Sequence, residues 1–153
     1  MLKELIEKGL FAIVEEPMGW QDAIRASVRP LVENGACTSE YAEVIIENVK
    51  KYGPYIVIAP ELALPHAEDC AHVNRSAVCF VKFNHPVSFA EEETNPLNPA
   101  PTARLFFALS SEDELRHLRN LRALTTECLR NPGLIDRLCQ AATKEEMLAA
   151  LTE

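Results

Sequence analysis

Tyr52-Gly53-Pro54-Tyr55-Ile56-Val57-Ile58-Ala59-Pro60 runs directly into Glu61-Leu62-Ala63-Leu64-Pro65-His66-Ala67. Tyr55 to Ile58 is rich in β-branched and aromatic residues and is bounded by Pro54 and Pro60, which predicts a short buried strand with a fixed exit point. Pro65 has no N–H and restricts Leu64 to extended geometry, so His66 is expected in a rigid turn with few conformations to lose. A ring with an ordinary pKa of about 6.5 is largely neutral near neutral pH. Neutral imidazole nitrogen attacks phosphorus, binds metal or shuttles protons, so His66 is the first candidate nucleophile.

Outward from this stretch, strands and helices alternate. Leu2 to Lys8 is a short helix before Gly9, and Leu10 to Val14 is an apolar run suited to a strand, with Pro17 after it. Trp20, Ile24, Val28 and Leu31 recur at helical spacing and stop by Asn34-Gly35; a second helix runs from Ser39 through Tyr41, Ile45 and Val49. Ser76 to Phe83 and Thr102 to Leu109 are the next strands, separated by Ala90 to Pro101, a loop of acids, asparagines and prolines. His85 before Pro86 reads as a surface hairpin turn with no chemistry of its own.

Asp113 to Arg130 has Leu115, Leu118, Leu121, Leu124 and Cys128 at helical spacing, and His117 falls in its first turn or two. An imidazole near a helix N-terminus meets unpaired N–H groups and a positive dipole end, a ready anion site. Periodicity alone fits as well with a polar residue between Arg116 and Arg119 on a solvated face. Asn131-Pro132-Gly133 breaks the chain before Leu134 to Cys139. Thr143-Lys144-Glu145-Glu146 then has capping-box form ahead of a terminal helix with Met147, Leu148 and Leu151. The alternation predicts an α/β fold, a three-layer-like sandwich with a mixed sheet flanked by helices.

With 153 residues the chain is expected to be one domain, 1–153, large enough to bury about two-thirds of its unfolded surface. The formal net charge of −8 supplies no basic surplus for a nucleic acid. No apolar run approaches the roughly 20 residues of a membrane helix, so no direct membrane insertion is expected. Five scattered cysteines and no signal peptide favour the reducing cytoplasm. There is no GxxxxGK[ST] or GxGxxG, and five glycines leave little material for a phosphate-cradling loop.

The residues from Trp20 to the C-terminus resemble the EIIA domain of the bacterial sugar phosphotransferase system, in its mannitol, fructose and ascorbate branch. The specific pieces are Trp20-Gln21-Asp22-Ala23-Ile24, Tyr52 to Pro60, Leu62 to Ala67, and Arg104-Leu105-Phe106-Phe107-Ala108-Leu109 followed by Ser110 to Leu118. The stretch Tyr52-Gly53-Pro54-Tyr55 is closest to ascorbate-type members. The resemblance implies an EIIA phosphotransferase in which His66 accepts a phosphoryl group from HPr and passes it to a cysteine of EIIB. His117 stabilises the group in transit, and no metal or organic cofactor is needed. EIIB would in turn serve the membrane EIIC, both as separate polypeptides, for sugar uptake. In such phosphoryl transfer the protein supplies in-line placement and charge, and a phosphohistidine keeps the group transferable.

The chain departs from the family after His66, where Ala67-Glu68-Asp69-Cys70-Ala71-His72 replaces Ala-Arg-Pro-Glu-Asp-Gly before Val73-Asn74-Arg75 resumes the pattern. Glu61 likewise stands where glycine is common. A carboxylate facing the nucleophile would oppose an incoming phosphate unless screened, with Arg75 as a candidate compensation. Two alternatives follow: a regulatory EIIA-like binding module, supported by Glu61 and Glu68, and a metal-binding protein using the H-x3-C-x-H set His66, Cys70 and His72.

Overall fold

The computed structural model describes residues 2–90, 100–131 and 133–152, without the side chains of 114–118 and 129. Along the chain the elements are α1 (Leu2–Glu7), β1 (Phe11–Val14), α2 (Trp20–Glu33), α3 (Glu40–Tyr52), β2 (Val57–Ala59), β3 (Glu61–Ala63), β4 (Ala77–Ser88), β5 (Thr102–Ser110), α4 (Glu114–Arg130), α5 (Leu134–Gln140) and α6 (Lys144–Leu151). The five strands form one sheet in the order β1-β4-β5-β3-β2. β1 with β4 and β3 with β5 are parallel, while β4 with β5 and β2 with β3 are antiparallel. This is the mixed-sheet α/β sandwich expected.

The central strands β4 and β5 carry apolar residues on both faces because both faces of the sheet are covered. Val81, Phe83, Phe106 and Ala108 point to one side, where they bury Ile24, Val28 and Leu31 of α2 and Ile45 and Ile46 of α3. Phe80, Leu105, Phe107 and Leu109 point to the other, against Leu2 of α1, Leu124 of α4, Leu138 of α5 and Met147 of α6. The period-2 alternation of each strand thereby feeds two cores at once. α3 stops at Gly53, whose φ of +86° is left-handed and suits the residue after a helix. Thr143 caps α6 by accepting from the Glu146 N–H at 3.2 Å, while Glu146 Oε2 accepts from the Ala142 N–H at 2.7 Å. The expected capping box is thus shifted by one residue on its return arm.

Two expectations are corrected. The strand read at Tyr55 to Ile58 is Val57–Ala59, an edge strand with Ile58 exposed; Tyr55 and Ile56 form the turn that enters it. The apolar run reflects Ile56 buried in the core and Val57 packed against it, not a strand covered on both faces. His85 and Pro86 do not form a hairpin turn but continue β4. The β4–β5 pairing jumps from Lys82 to Val87, and this irregularity admits a proline that cannot donate to a ladder. Of the loop expected over Ala90 to Pro101, residues 91–99 lie outside the described ones.

Candidate functional site

His66 follows β3 in a segment tied down at every step. The Leu64 N–H donates to the Ile56 carbonyl at 2.8 Å, and the Pro65 carbonyl accepts from the Leu109 N–H of β5 at 3.0 Å. The Tyr55 hydroxyl donates to the His66 carbonyl. The Ala67 N–H donates to the Tyr41 hydroxyl at 3.1 Å, and that hydroxyl donates to the Leu109 carbonyl at 2.6 Å. α3, β5 and the turn before β2 thereby fix four consecutive residues. The rigid placement expected from Pro65 is present, supplied by this network as much as by the ring.

His66 Nδ1 contacts the Leu64 carbonyl oxygen. A carbonyl only accepts, so Nδ1 carries the proton and, in the neutral ring, Nε2 carries the lone pair. Burial holds the imidazole below its ordinary pKa of 6.5, against the opposing influence of the Leu64 carbonyl and then of Glu68. The ring is therefore neutral at neutral pH. The Tyr55 ring meets it edge-on, with centroids 5.3 Å apart at 86°, which orients the imidazole from the side.

The ring opens on a cavity of about 480 Å³ lined by Asn48, Tyr52, Tyr55, His66, Ala67, Glu68 and Asp69. The phenol of Tyr55 is raised above its ordinary pKa chiefly by burial, so it stays a hydrogen-bond donor. Glu68 and Asp69 are exposed at the rim, and none of the described lining residues is a lysine or arginine. Arg75 does not line this cavity; its guanidinium donates to the Asn34 carbonyl at 2.9 Å. Glu61 also turns away from His66 and pairs with Arg104 at 2.5 Å. Of the two added carboxylates, only Glu68 bears on the site.

The three sequence-level ligand candidates do not converge. Among the described residues no group of three His, Cys, Asp or Glu is arranged to hold a metal. The Cys37–Val73 bridge and the Thr38 N–H on the His72 carbonyl, 2.9 Å, draw His72 toward the start of α3. Cys70 is exposed on the loop between. His117 lies in the first turn of α4, but its side chain is outside the described residues.

The roles of Tyr41 and Tyr55 are not evident from the sequence. Tyr41 registered only as an apolar position at helical spacing, because nothing in periodicity reveals where a hydroxyl will point. Tyr55 did leave a signal, as part of the Tyr52 to Tyr55 stretch.

The family described as "Phosphoenolpyruvate-dependent sugar phosphotransferase system, EIIA 2" matches residues 4–153. SgcA of Escherichia coli (strain K12), named as a phosphotransferase IIA component, is 30% identical over 133 residues, which cover 87% of this chain and 88% of that protein. The ascorbate-specific EIIA component of Salmonella typhimurium is 26% identical over 144 residues, 94% of this chain and 90% of its own. A chain of the solved complex of enzyme IIAMTL and phosphorylated enzyme IIBMTL from Escherichia coli has the same fold. Its TM-score is 0.73 at 23% identity, with 94% of each chain covered. With an anchored histidine at the end of β3, the five-stranded mixed sheet, and a family match over nearly the whole length, the chain belongs to the EIIA type 2 family of the phosphoenolpyruvate-dependent sugar phosphotransferase system.

Proposed function

We propose that this chain acts in the cytoplasm as a phosphocarrier, one EIIA domain over residues 1–153, with His66 as its phosphorylated nucleophile. HPr is the donor, a cysteine of EIIB the acceptor, and EIIC the membrane subunit served through it. The observation that carries this reading is the neutral, anchored imidazole of His66, its Nδ1 proton engaged by the Leu64 carbonyl at a solvent-reaching cavity. The lone pair on Nε2 forms a P–N bond in line as the bond between phosphorus and the donor breaks. In the second half-reaction an EIIB thiolate forms the P–S bond as the P–N bond breaks, and the electron pair returns to Nε2. Negative charge on the equatorial oxygens needs donors held in place. His117, in the first turn of α4, is the proposed side-chain donor, assisted by the N-terminal end of that helix. The relative solved with a phosphorylated enzyme IIB supports EIIB as the kind of partner.

The experiment is a chase of the phosphorylated protein into its EIIB. The phosphate should leave this chain and become attached to EIIB, and an EIIB whose cysteine is replaced by serine should not accept it. His117→Ala should slow the transfer by about 10²-fold or more while leaving the protein folded. A second reading, a regulatory module, draws on Glu68 and Asp69 at the rim of the cavity. It predicts that phosphate stays on this chain in the presence of EIIB.

A further inference from the structure

Glu61 is the one described non-glycine residue with a positive φ, +70°. This left-handed conformation is costly for a side chain with a Cβ and persists only where surrounding contacts enforce it. The enforcing contact is across the sheet. β3 pairs with β5 as Glu61 with Ala103 and then Leu62 with Leu105, so Arg104 is the extra residue opposite the strained position. Its guanidinium closes on the Glu61 carboxylate at 2.5 Å, with the two side chains 34% and 23% exposed. The Cys139 thiol of α5 donates to the same carboxylate oxygen at 3.4 Å. Lys82, the other cation beside this group, is committed to Asn84 Oδ1 at 2.7 Å.

We infer that Arg104 is a positioning residue for His66: through its pair with Glu61 it locks the register in which β3 meets β5. The inference rests on His66 being the reacting group. The path is short. From Glu61 the strand runs through Leu62, which belongs to one core, and Ala63, which belongs to the other. It continues to Leu64, whose carbonyl holds His66 Nδ1, and to Pro65, which is bonded to Leu109. A one-residue slip of β3 would exchange its two faces and carry the Leu64 carbonyl away from the imidazole. Glycine adopts φ +70° without strain and leaves no carboxylate to neutralise, so a chain with glycine in place of Glu61 needs no cation at position 104. Arginine at 104 and glutamate at 61 therefore act as a unit. Losing the arginine alone leaves a largely buried carboxylate without its ion-pair partner on a strained residue.

The test is the His66 ring observed by long-range 15N–1H NMR, in wild type, Arg104→Leu, Arg104→Lys and the double variant Glu61→Gly/Arg104→Leu. Wild type should give the Nδ1–H tautomer. Arg104→Leu should give mixed tautomers and a ring pKa moved back up toward 6.5, and the double variant should return both to wild-type values. Arg104→Lys, which keeps the charge but not the fork, should fall between wild type and Arg104→Leu. Phosphoryl acceptance should follow: about tenfold lower kcat in Arg104→Leu, KM for HPr within about twofold, and recovery in the double variant. The NMR readout does not depend on phosphotransfer, so a wild-type protein that accepts no phosphate would refute the proposed function without deciding this point. A folded Arg104→Leu with the wild-type tautomer and ring pKa overturns the inference. If Arg104→Leu does not fold, Glu61→Gly/Arg104→Leu decides: folded with the wild-type ring supports the inference, and a folded protein with a disordered ring, or one that does not fold, overturns it.

Discussion

At the scale of single residues, His66 is set by two opposing influences whose balance has a testable sign. Burial lowers its pKa, and the Leu64 carbonyl and Glu68 raise it by less. On the proposed function the neutral ring is the nucleophile, so phosphoryl acceptance should be flat from about pH 8 down to about 6.5 and fall only below that, where the ring takes a proton. A pre-steady-state rate profile checks this, and an inflection above 6.5 would contradict it. The same depression means that the unfolded chain binds a proton before the folded one does. His66 therefore leaves stability intact above about 6.5 and reduces it as pH falls through the lower folded value. The rigid placement of His66 was legible in the sequence, since proline punctuation restricts the backbone that enters it. Its tautomer and its pKa were not, because both depend on a carbonyl and a burial that only the folded chain brings together. Glu61 shows the same limit from the other side: the sequence reveals an added carboxylate near the site, but not that Arg104 turns it away.

At the scale of elements, helices were the most legible, because their apolar positions recur over successive turns. All but α5 were foreseen as helices with ends close to those observed, and α5 as the segment set off by Asn131-Pro132-Gly133. The short strands were less so. β2 and β3 have three residues each, too few for alternation to establish, and their boundaries follow from long-range pairing with β5. β4 outran its expected end because the bulge at His85-Pro86 lets a proline remain in a strand. The tie between elements that matters most for the site is Tyr41 of α3, whose hydroxyl bridges the Ala67 N–H and the Leu109 carbonyl. Tyr41→Phe keeps the ring and strands both buried groups, so it should destabilise the fold by about 1–3 kcal/mol. Urea denaturation should show a lower midpoint with an unchanged m value, since the surface exposed on unfolding is the same. An unchanged midpoint would mean that the hydroxyl holds nothing together.

At the scale of the whole molecule, the mixed sheet carries one core on each face, and the end of β3 is where His66 emerges beside α3. The class of fold was legible from alternating strand and helix patterns; the strand order β1-β4-β5-β3-β2 was not, because composition and periodicity do not specify which strands become neighbours. The net charge of −8 is spread so that two exposed carboxylates, Glu68 and Asp69, sit at the mouth of the cavity with His66. An acidic rim opposes an approaching phosphate yet attracts a basic protein surface, and screening by salt weakens both effects. Phosphoryl acceptance by His66 is the claim on which the rest depends. Its most direct measurement is intact mass at neutral to basic pH after incubation with phosphoenolpyruvate, enzyme I and HPr, for wild type beside His66→Ala. The account predicts a single acid-labile phosphate on wild type and none on His66→Ala; equal phosphorylation of both, or of neither, would contradict it.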